Sequence, residues 1–383
     1  MWKLNISGTE TVVAAGMGNR PSRFLMRKVV RSSTGKSIIR WETTNGIGGP
    51  IVVEDGIWSK AYDSNLKVTN VTRCPPRSRD AHAIDRQLRL ILRNYSVHTQ
   101  EPAPMAGRDC YVLRLEPRYR HSYQVMLWID RANFSVLSHQ ESNHLGETVN
   151  VSSFNGIKFL PHIDPKEFAK AIPEGVPLVK FSRSEPAKNI QSLSKLVDFD
   201  ICMPYIMPGG YEFEYAEVVV TKGQRSTCIR YTDGISEISL FQTRSPTKRA
   251  PDYLLKRSGT DGLNNIFFTF EKGPMNFAAV GHLDPAGLDE MFERMNMDQE
   301  RAFLDYLARN YRIHLTDLET LRDQGLCIDT LNALLEVRKR TGKSLADLLD
   351  LNREGHCWQS IAKKYNLDPA PMYKHMSIYS VKQ

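Results

Sequence analysis

The fold of this 383-residue chain is decided by two strand-like runs, MAGRDCYVLRLEP at residues 105–117 and QVMLWID at residues 124–130. The first run opens on the glycine turn Ala106-Gly107, and the second ends at the turn Arg131-Ala132-Asn133. Short apolar runs between turn residues are typical of antiparallel strands. No catalytic group of side chains occurs in this stretch, which therefore indicates a binding protein or a sensor more than an enzyme.

The second run predicts a strand with large apolar side chains on both faces, since side chains alternate along a strand. We expect the face with Tyr123, Val125, Leu127 and Ile129 to pack on a helix predicted at residues 79–94. Residues at steps of three and four predict one buried stripe on that helix: Ile84, Leu88, Ile91 and Tyr95.

The opposite face of this strand needs a second cover, which is either another domain or a cavity for an apolar ligand. Core packing is the alternative interpretation for each large side chain on its own. The predicted ligand-binding residues on apolar faces are Trp41, Trp58, Tyr62, Met126 and Trp128.

Composition narrows the class of protein. A length of 383 residues predicts two or three domains, and 41% hydrophobic residues exclude wholesale disorder. The net charge of +8 is compatible with contact with anionic lipid, an acidic protein surface or nucleic acid, but because no dense Lys/Arg run occurs, an aid to solubility is the favoured interpretation. The six cysteines have no CxxC spacing, which argues against a zinc ribbon, and either buried thiols or disulfides fit them.

The N-terminal part, residues 1–160, predicts a long β-meander with one amphipathic helix. Residues 161–207 predict a linker with short helices. A second β block with a covering helix follows at residues 208–296, with Asp284-Pro285 predicted at the start of that helix. Together these patterns predict the α+β class.

Residues 297–383 predict a helical module with an internal repeat of about thirty residues. Five positions of the first copy recur in the second, and each copy reads as helix, glycine turn and helix. The recurring pairs are Leu318 with Leu348, Leu321 with Leu351, Gly325 with Gly355, Cys327 with Cys357, and Leu331 with Ile361. A DNA-binding helix-turn-helix is the alternative, but the basic residues at 338–340 and 363–364 are not concentrated on one helix.

Chemical motifs are weak throughout the chain. Gly16-Met17-Gly18 and Gly46-Ile47-Gly48-Gly49 are not followed by the helix that a phosphate-binding loop requires, so they predict ordinary loops. His139, Glu141 and His144 predict an ordinary sheet surface, because they lack the helical spacing that brings two histidine ligands to one face. We predict no enzyme activity, no cofactor and no metal.

The first 160 residues resemble the N-terminal domain of the MucB/RseB family of sigma-factor regulators, which shares its fold with LolA and LppX-like proteins. The spacing of the elements carries this resemblance: the Asp55-Gly56 turn with Trp58 and Tyr62, Asn94-Tyr95, Ala106 to Cys110, Tyr123 to Asp130, and Leu137. Further elements resemble the C-terminal domain of that family, so that the resemblance covers about residues 1–296: Pro208 to Tyr211, Tyr231 to Gly234, and Val280-Gly281. The helical module lies outside it.

The resemblance implies an unclosed, LolA-like β-barrel wrapped on helices, followed by a smaller α+β domain. It also implies a periplasmic or envelope protein that binds an anti-sigma factor-like membrane protein, with acyl lipid as a further ligand. A lipid or lipoprotein carrier is one alternative function, and a nucleic-acid-binding protein using the basic tail is another, although nucleic acid is not the expected partner. The sequence shows no signal peptide at Met1, so a truncated start is expected.

Overall fold

The structure of this protein is a computed structural model. It describes residues 4–14, 22–42, 49–74, 81–180, 182–187, 190–204, 207–221, 223–244, 257–260, 266–272, 275–281, 283–293, 295, 297–326, 328–354, 356 and 358–368. The glycine motif at 16–18, most of the motif at 46–49, and Cys327, Gly355 and Cys357 lie outside the described residues.

A large antiparallel sheet dominates the N-terminal half. Its strands are β1 Asn5–Ala14, β2 Arg23–Arg31, β3 Ser37–Glu42, β4 Ile51–Glu54, β5 Trp58–Asp63, β6 Val68–Arg73, β7 Tyr95–Met105, β8 Arg108–Pro117, β9 Gln124–Asp130, β10 Val136–Ser142, β11 Thr148–Leu160 and, parallel to β6, β12 Leu178–Lys180. The order across the sheet is β12-β6-β5-β4-β3-β2-β1-β11-β10-β9-β8-β7.

The two runs that opened the sequence analysis form β8 and β9, as predicted. Ala106 and Gly107 both have positive φ (52° and 72°), the backbone that a tight two-residue hairpin between β7 and β8 requires. Leu113 pairs with Leu127 and Leu115 pairs with Val125, so apolar side chains from both strands share one face. That face packs on Ile91 of helix α1, Ala81–Asn94.

Helix α1 lies in the chain between strands near the two opposite edges of the large sheet. It connects β6 with β7, and β7 is one edge strand while only β12 lies beyond β6 at the other edge. The order of strands ends at these two edges, so the sheet is not closed into a barrel within the described residues. This confirms the prediction of a mixed α+β protein with an unclosed sheet.

A second antiparallel sheet follows. Its strands are β13 Ser182–Arg183, β14 Glu212–Thr221, β15 Gln224–Thr232, β16 Glu237–Arg244, β17 Arg257–Thr260, β18 Ile266–Lys272 and β19 Met275–Gly281. Helix α4, Pro285–Glu293, begins where the sequence predicted, with the Asp284 side chain accepting the Gly287 N–H at 2.7 Å. Leu288 and Met291 of α4 share a buried core with this sheet, and Tyr123, just before β9, enters the same core.

The segment predicted as a linker with short helices contains short strands as well. It contains helix α2, Pro165–Ala169, and helix α3, Gln191–Ser194, and it also supplies β12 to the first sheet and β13 to the second. These strands have three and two residues, too short for any alternation to indicate them. The segment therefore joins the two sheets through hydrogen-bonded strands.

The C-terminal region is helical, as predicted. Its helices are α5 Met297–Tyr311, α6 Leu315–Asp323, α7 Ile328–Thr341, α8 Leu345–Arg353 and α9 Trp358–Lys364. The two copies of the sequence repeat correspond to the pairs α6–α7 and α8–α9. Their recurring apolar residues Leu318, Leu321, Leu331, Leu348 and Ile361 are buried in one core.

Candidate functional site

Helix α1 presents a row of exposed aliphatic side chains. Ile84, Leu88 and Leu92 follow one another at four-residue steps and are 48%, 52% and 63% exposed. We call these three residues the α1 face. The prediction that Ile84 and Leu88 belong to a buried stripe is therefore wrong, although Ile91 does pack on the sheet and Tyr95 is buried at the start of β7.

The neighbouring side of the helix is the one that is covered. Leu90 is 4% exposed and lies against the turn between β15 and β16. That turn contains Gly234 at φ +100°, where an added Cβ would lie 2.9 Å from both the Leu90 Cβ and the Ile91 nitrogen. Gln87 Nε2 donates to the Gly234 carbonyl at 3.0 Å. This close approach orients α1 so that its apolar row points away from the contact.

A buried polar joint fixes the C-terminal end of α1 to the second sheet. The Tyr95 hydroxyl donates to Asp233 Oδ2 at 2.6 Å, and Asn94 Nδ2 donates to the Asp233 carbonyl at 2.8 Å. Asp233 also accepts the N–H groups of Ile235 and Ser236. Burial raises the pKa of the Asp233 carboxyl, although these hydrogen bonds oppose the shift.

Arginines hold a further side of the helix. Arg93 pairs with Glu212 and donates to the Gly210 carbonyl at 2.9 Å, and Arg86 donates to the Phe213 carbonyl at 3.0 Å. Burial disfavours the charge on Glu212, but Arg93 and Arg86 outweigh it and hold the pKa of that carboxyl below its ordinary value. The α1 face lies outside all of these contacts.

Helix α1 also touches the helical module. The Arg89 guanidinium lies 2.8 Å from the ring nitrogens of His356, at the turn between α8 and α9, and also pairs with Asp85. Burial lowers the pKa of His356, and the positive charges of Arg89 and Lys364 lower it further. A protonated His356 would place two cations in contact.

This contact predicts a loss of stability in acid. Because the pKa of His356 lies below 6.5 in the folded protein, the unfolded chain takes up this proton first as the pH falls through that value, and the free energy of unfolding decreases. We expect the thermal unfolding midpoint to fall between about pH 7.5 and about pH 5.5, the range over which an ordinary histidine titrates.

In H356Q the fall should be smaller, while the control H144Q, at an exposed position in the turn between β10 and β11, should keep the fall of the wild type. An equal fall in H356Q and the wild type would show that this histidine does not contribute.

The predicted ligand-binding residues lie on several parts of the large sheet. Trp58 and Tyr62 lie on β5, whereas Met126 and Trp128 lie on β9, and six strands separate β5 from β9 in the sheet. At about 4.8 Å per strand, the two pairs are about 34 Å apart along the sheet. Trp41 lies on β3, half-buried.

Register shows that these residues do not share one face. Tyr62 pairs with Ile51, which pairs with Arg40, so the neighbouring Trp41 points to the other face of the sheet. The ring of Trp41 instead lies under the Arg27 guanidinium, 5.0 Å from its centroid, and Trp128 packs on a buried cluster that includes Leu137. The structure therefore does not bring the five residues together.

The His139–Glu141 segment is not an ordinary surface. Glu141 is buried; its carboxylate lies 3.6 Å from His139 Nε2 and accepts from Asn150 Nδ2 at 3.2 Å, whereas His144 is exposed. The prediction of an ordinary sheet surface is therefore wrong for Glu141, because the sequence could not show that this side of β10 is covered. Within the ranges that the structure describes, no cluster of three His, Cys, Asp or Glu residues could hold a metal ion.

Two cysteines in the described ranges are fully buried. Cys110 lies in the core of the large sheet and Cys228 in the second sheet. Burial raises the pKa of the Cys228 thiol to about 11 and that of Cys110 above its ordinary value, so both are mostly protonated at neutral pH. None of the helices described is long and apolar enough to cross a membrane.

Comparisons with known proteins bear on this site. A family model described as the MucB/RseB N-terminal domain matches residues 54–172, a segment that contains all of α1. No curated protein matches the chain.

Among the solved structures that are similar is the Pseudomonas aeruginosa MucA/MucB complex, which is 17% identical with a TM-score of 0.48. The match covers 75% of this chain and 91% of that chain. MucB in complex with MucA(peri) is 16% identical, with the same TM-score and the same coverage. A LolA superfamily protein from Nitrosomonas europaea is 13% identical with a TM-score of 0.23, and the match covers 43% of this chain and 90% of that one. The family model therefore confirms the resemblance to the MucB/RseB family, and residues 54–172 are the segment that it matches.

Proposed function

We propose that this protein is a non-enzymatic envelope protein that binds the extracytoplasmic part of an anti-sigma factor-like membrane protein and so regulates an extracytoplasmic stress response. The observation that carries the proposal is the α1 face, a row of exposed aliphatic residues on a helix inside the segment that matches the MucB/RseB domain. The family resemblance supplies the class of partner. A periplasmic location follows from the same proposal.

The chemistry of the α1 face suits a protein segment with apolar side chains. Ile84, Leu88 and Leu92 are each about half exposed, so a partner that covers them completes their burial. Full burial of such a side chain is worth about 1.5–3 kcal/mol, so half of it contributes about 1 kcal/mol per residue. Three residues therefore supply about 3 kcal/mol, which is about a hundredfold in affinity.

The α1 face is also held in place before a partner arrives. The buried joint around Asp233, the Arg93–Glu212 pair and the Arg89–His356 contact all fix the helix from other sides. A partner then loses little free energy in ordering this surface, which favours affinity.

A lipid or lipoprotein carrier is the second candidate, because aliphatic side chains without polar groups also accept acyl chains. The nucleic-acid alternative has less support from the structure. The basic groups at 338–340 and 363–364 lie in the last turns of two different helices, α7 and α9, whereas a helix-turn-helix reads bases with the first residues of a single recognition helix.

Two measurements on the full chain separate these functions. Calorimetric titration with the extracytoplasmic segment of the anti-sigma factor from the same genome should give a 1:1 complex with a Kd of about 1 μM or tighter. Organic extraction of the purified protein followed by mass spectrometry should find less than one acyl lipid per chain. Stoichiometric lipid together with no binding of the segment would favour the carrier and contradict the regulator.

A further inference from the structure

A cleft in the helical module lies between the C-terminal ends of α5 and α7. It has a volume of about 560 Å³ and is lined mainly by Tyr311, Arg312, Arg338, Lys339, Gly342 and Lys343. None of these residues belongs to the α1 face, and the family match ends at residue 172. The cleft is therefore a separate feature of the module.

The lining of this cleft carries four positive charges and no carboxylate. The nearby Glu336 accepts hydrogen bonds from Arg340 Nε at 2.6 Å and from the hydroxyl of the lining residue Tyr311 at 3.0 Å, and its charge is shared between Arg340 and Lys339. Arg312 and Arg338 form no ion pair with any residue that the structure describes. The cleft therefore holds an excess of positive charge, to which Arg312 and Arg338 contribute without an ion-pair partner among the described residues.

The partial negative charges at the C-terminal ends of the two helices balance only part of this positive charge. The C-terminus of a helix carries about half a negative charge, so the ends of α5 and α7 together contribute about one. Four cationic side chains exceed this by about three charges. Interaction with the two helix ends therefore balances about one positive charge, and the remaining positive charge attracts an anion.

Arg312 occupies the left-handed cap at the end of α5. It lies just after α5 with φ +52°, in the left-handed region, and the next N–H, that of Ile313, donates to the Ala308 carbonyl. The end of α7 places Gly342 in the same left-handed region at φ +68°. Glycine adopts this conformation without steric cost, whereas a residue with a Cβ atom adopts it at a steric cost. Both helices thus end in a left-handed cap, and at the end of α5 the capping residue is a cation that lines the cleft.

Hydrogen bonds hold the Tyr311 side chain in the wall of the cleft. The Tyr311 hydroxyl is 3.0 Å from both Asn332 Oδ1 and Glu336 Oε2, and Asn332 is buried. Lys339 Nζ lies 5.5 Å from the centroid of the Tyr311 ring. The cations are therefore arranged around a fixed aromatic side chain.

We propose that this cleft binds a phosphate-bearing anion through Arg312, Arg338 and Lys343. Guanidinium groups match the geometry of phosphate oxygens and bind them by paired hydrogen bonds, and a lysine adds a mobile point charge. The same chemistry is offered by a small soluble phosphate compound and by the headgroup of an anionic phospholipid. The two sources are distinguished by experiment.

The test uses the full chain with two probes: pyrophosphate in calorimetric titrations at low salt, and sedimentation with vesicles of phosphatidylglycerol or of phosphatidylcholine. The main variant is R312G, which removes a charge and the left-handed strain together, so its thermal unfolding midpoint should stay the same or rise. R312G/R338A should weaken the binding of at least one phosphate probe by about tenfold or more. The control K363A/K364A removes two exposed charges from α9 and should change it by less than about twofold.

Binding of pyrophosphate that is lost in R312G/R338A supports a soluble phosphate ligand. Loss of sedimentation with phosphatidylglycerol alone supports a lipid headgroup. The proposal is overturned if neither probe binds the wild type, if phosphatidylcholine vesicles bind equally well, or if the control variant loses as much affinity as R312G/R338A.

Discussion

Replacement of Asp233 by alanine is expected to lower the free energy of unfolding by about 3–5 kcal/mol, because it breaks a buried charged network. Asp233 is 1% exposed, and its carboxylate accepts from the Tyr95 hydroxyl and from the N–H groups of Ile235 and Ser236. In D233A these donors remain buried and lose their acceptor. Urea unfolding followed by circular dichroism measures the difference.

Two variants make this experiment specific. Y95F removes one donor and leaves the rest of the joint, so it should cost about 1–2 kcal/mol. E237A removes an exposed carboxylate that pairs with Arg230 on the same pair of strands, and it should cost less than about 1 kcal/mol. A loss in D233A no larger than in E237A would show that the joint does not hold α1 and the second sheet together.

Aspartate on the α1 face is expected to weaken binding of the anti-sigma segment by about a hundredfold or more. In L88D/L92D two apolar contacts are replaced by charges that the partner would have to desolvate. Leu88 and Leu92 are 52% and 63% exposed in the free protein, so the loss of their remaining contacts should lower the free energy of unfolding by no more than about 2 kcal/mol. Calorimetric titration gives the affinity, and urea unfolding gives the stability.

The matched control is L66D. Leu66 is 70% exposed in the turn between β5 and β6, and it offers the same change of an exposed leucine to aspartate away from α1. The affinity of L66D for the segment should stay within about twofold of the affinity of the wild type. Equal affinities of L88D/L92D and the wild type would place the partner elsewhere on the protein.

Periodicity predicted the elements whose partners are close in sequence. Short apolar runs between turn residues predict β8 and β9, and alternation along β9 correctly predicts that Val125 and Leu127 pack on the helix. The thirty-residue repeat likewise predicted the pairs α6–α7 and α8–α9. In each case the pattern reports which residues share a face.

Periodicity could not show which faces are covered. Ile84 and Leu88 have helical spacing whether or not another element lies over them, and the contact that turns them outward is made by Gly234, far along the chain. The hydrogen bond between Tyr95 and Asp233 joins residues 138 positions apart, so the two motifs were visible only separately. The strand β12 has three residues and exists because β6 offers it an edge.

Photo-crosslinking tests most directly whether the α1 face binds the partner. With benzoylphenylalanine at position 88, irradiation of the complex with the anti-sigma segment should give a 1:1 covalent adduct, and the same group at position 66 should not. L88D/L92D should compete poorly with the wild type for the segment in the same assay. An adduct at position 66 with none at position 88 would contradict the assignment of the binding site to helix α1.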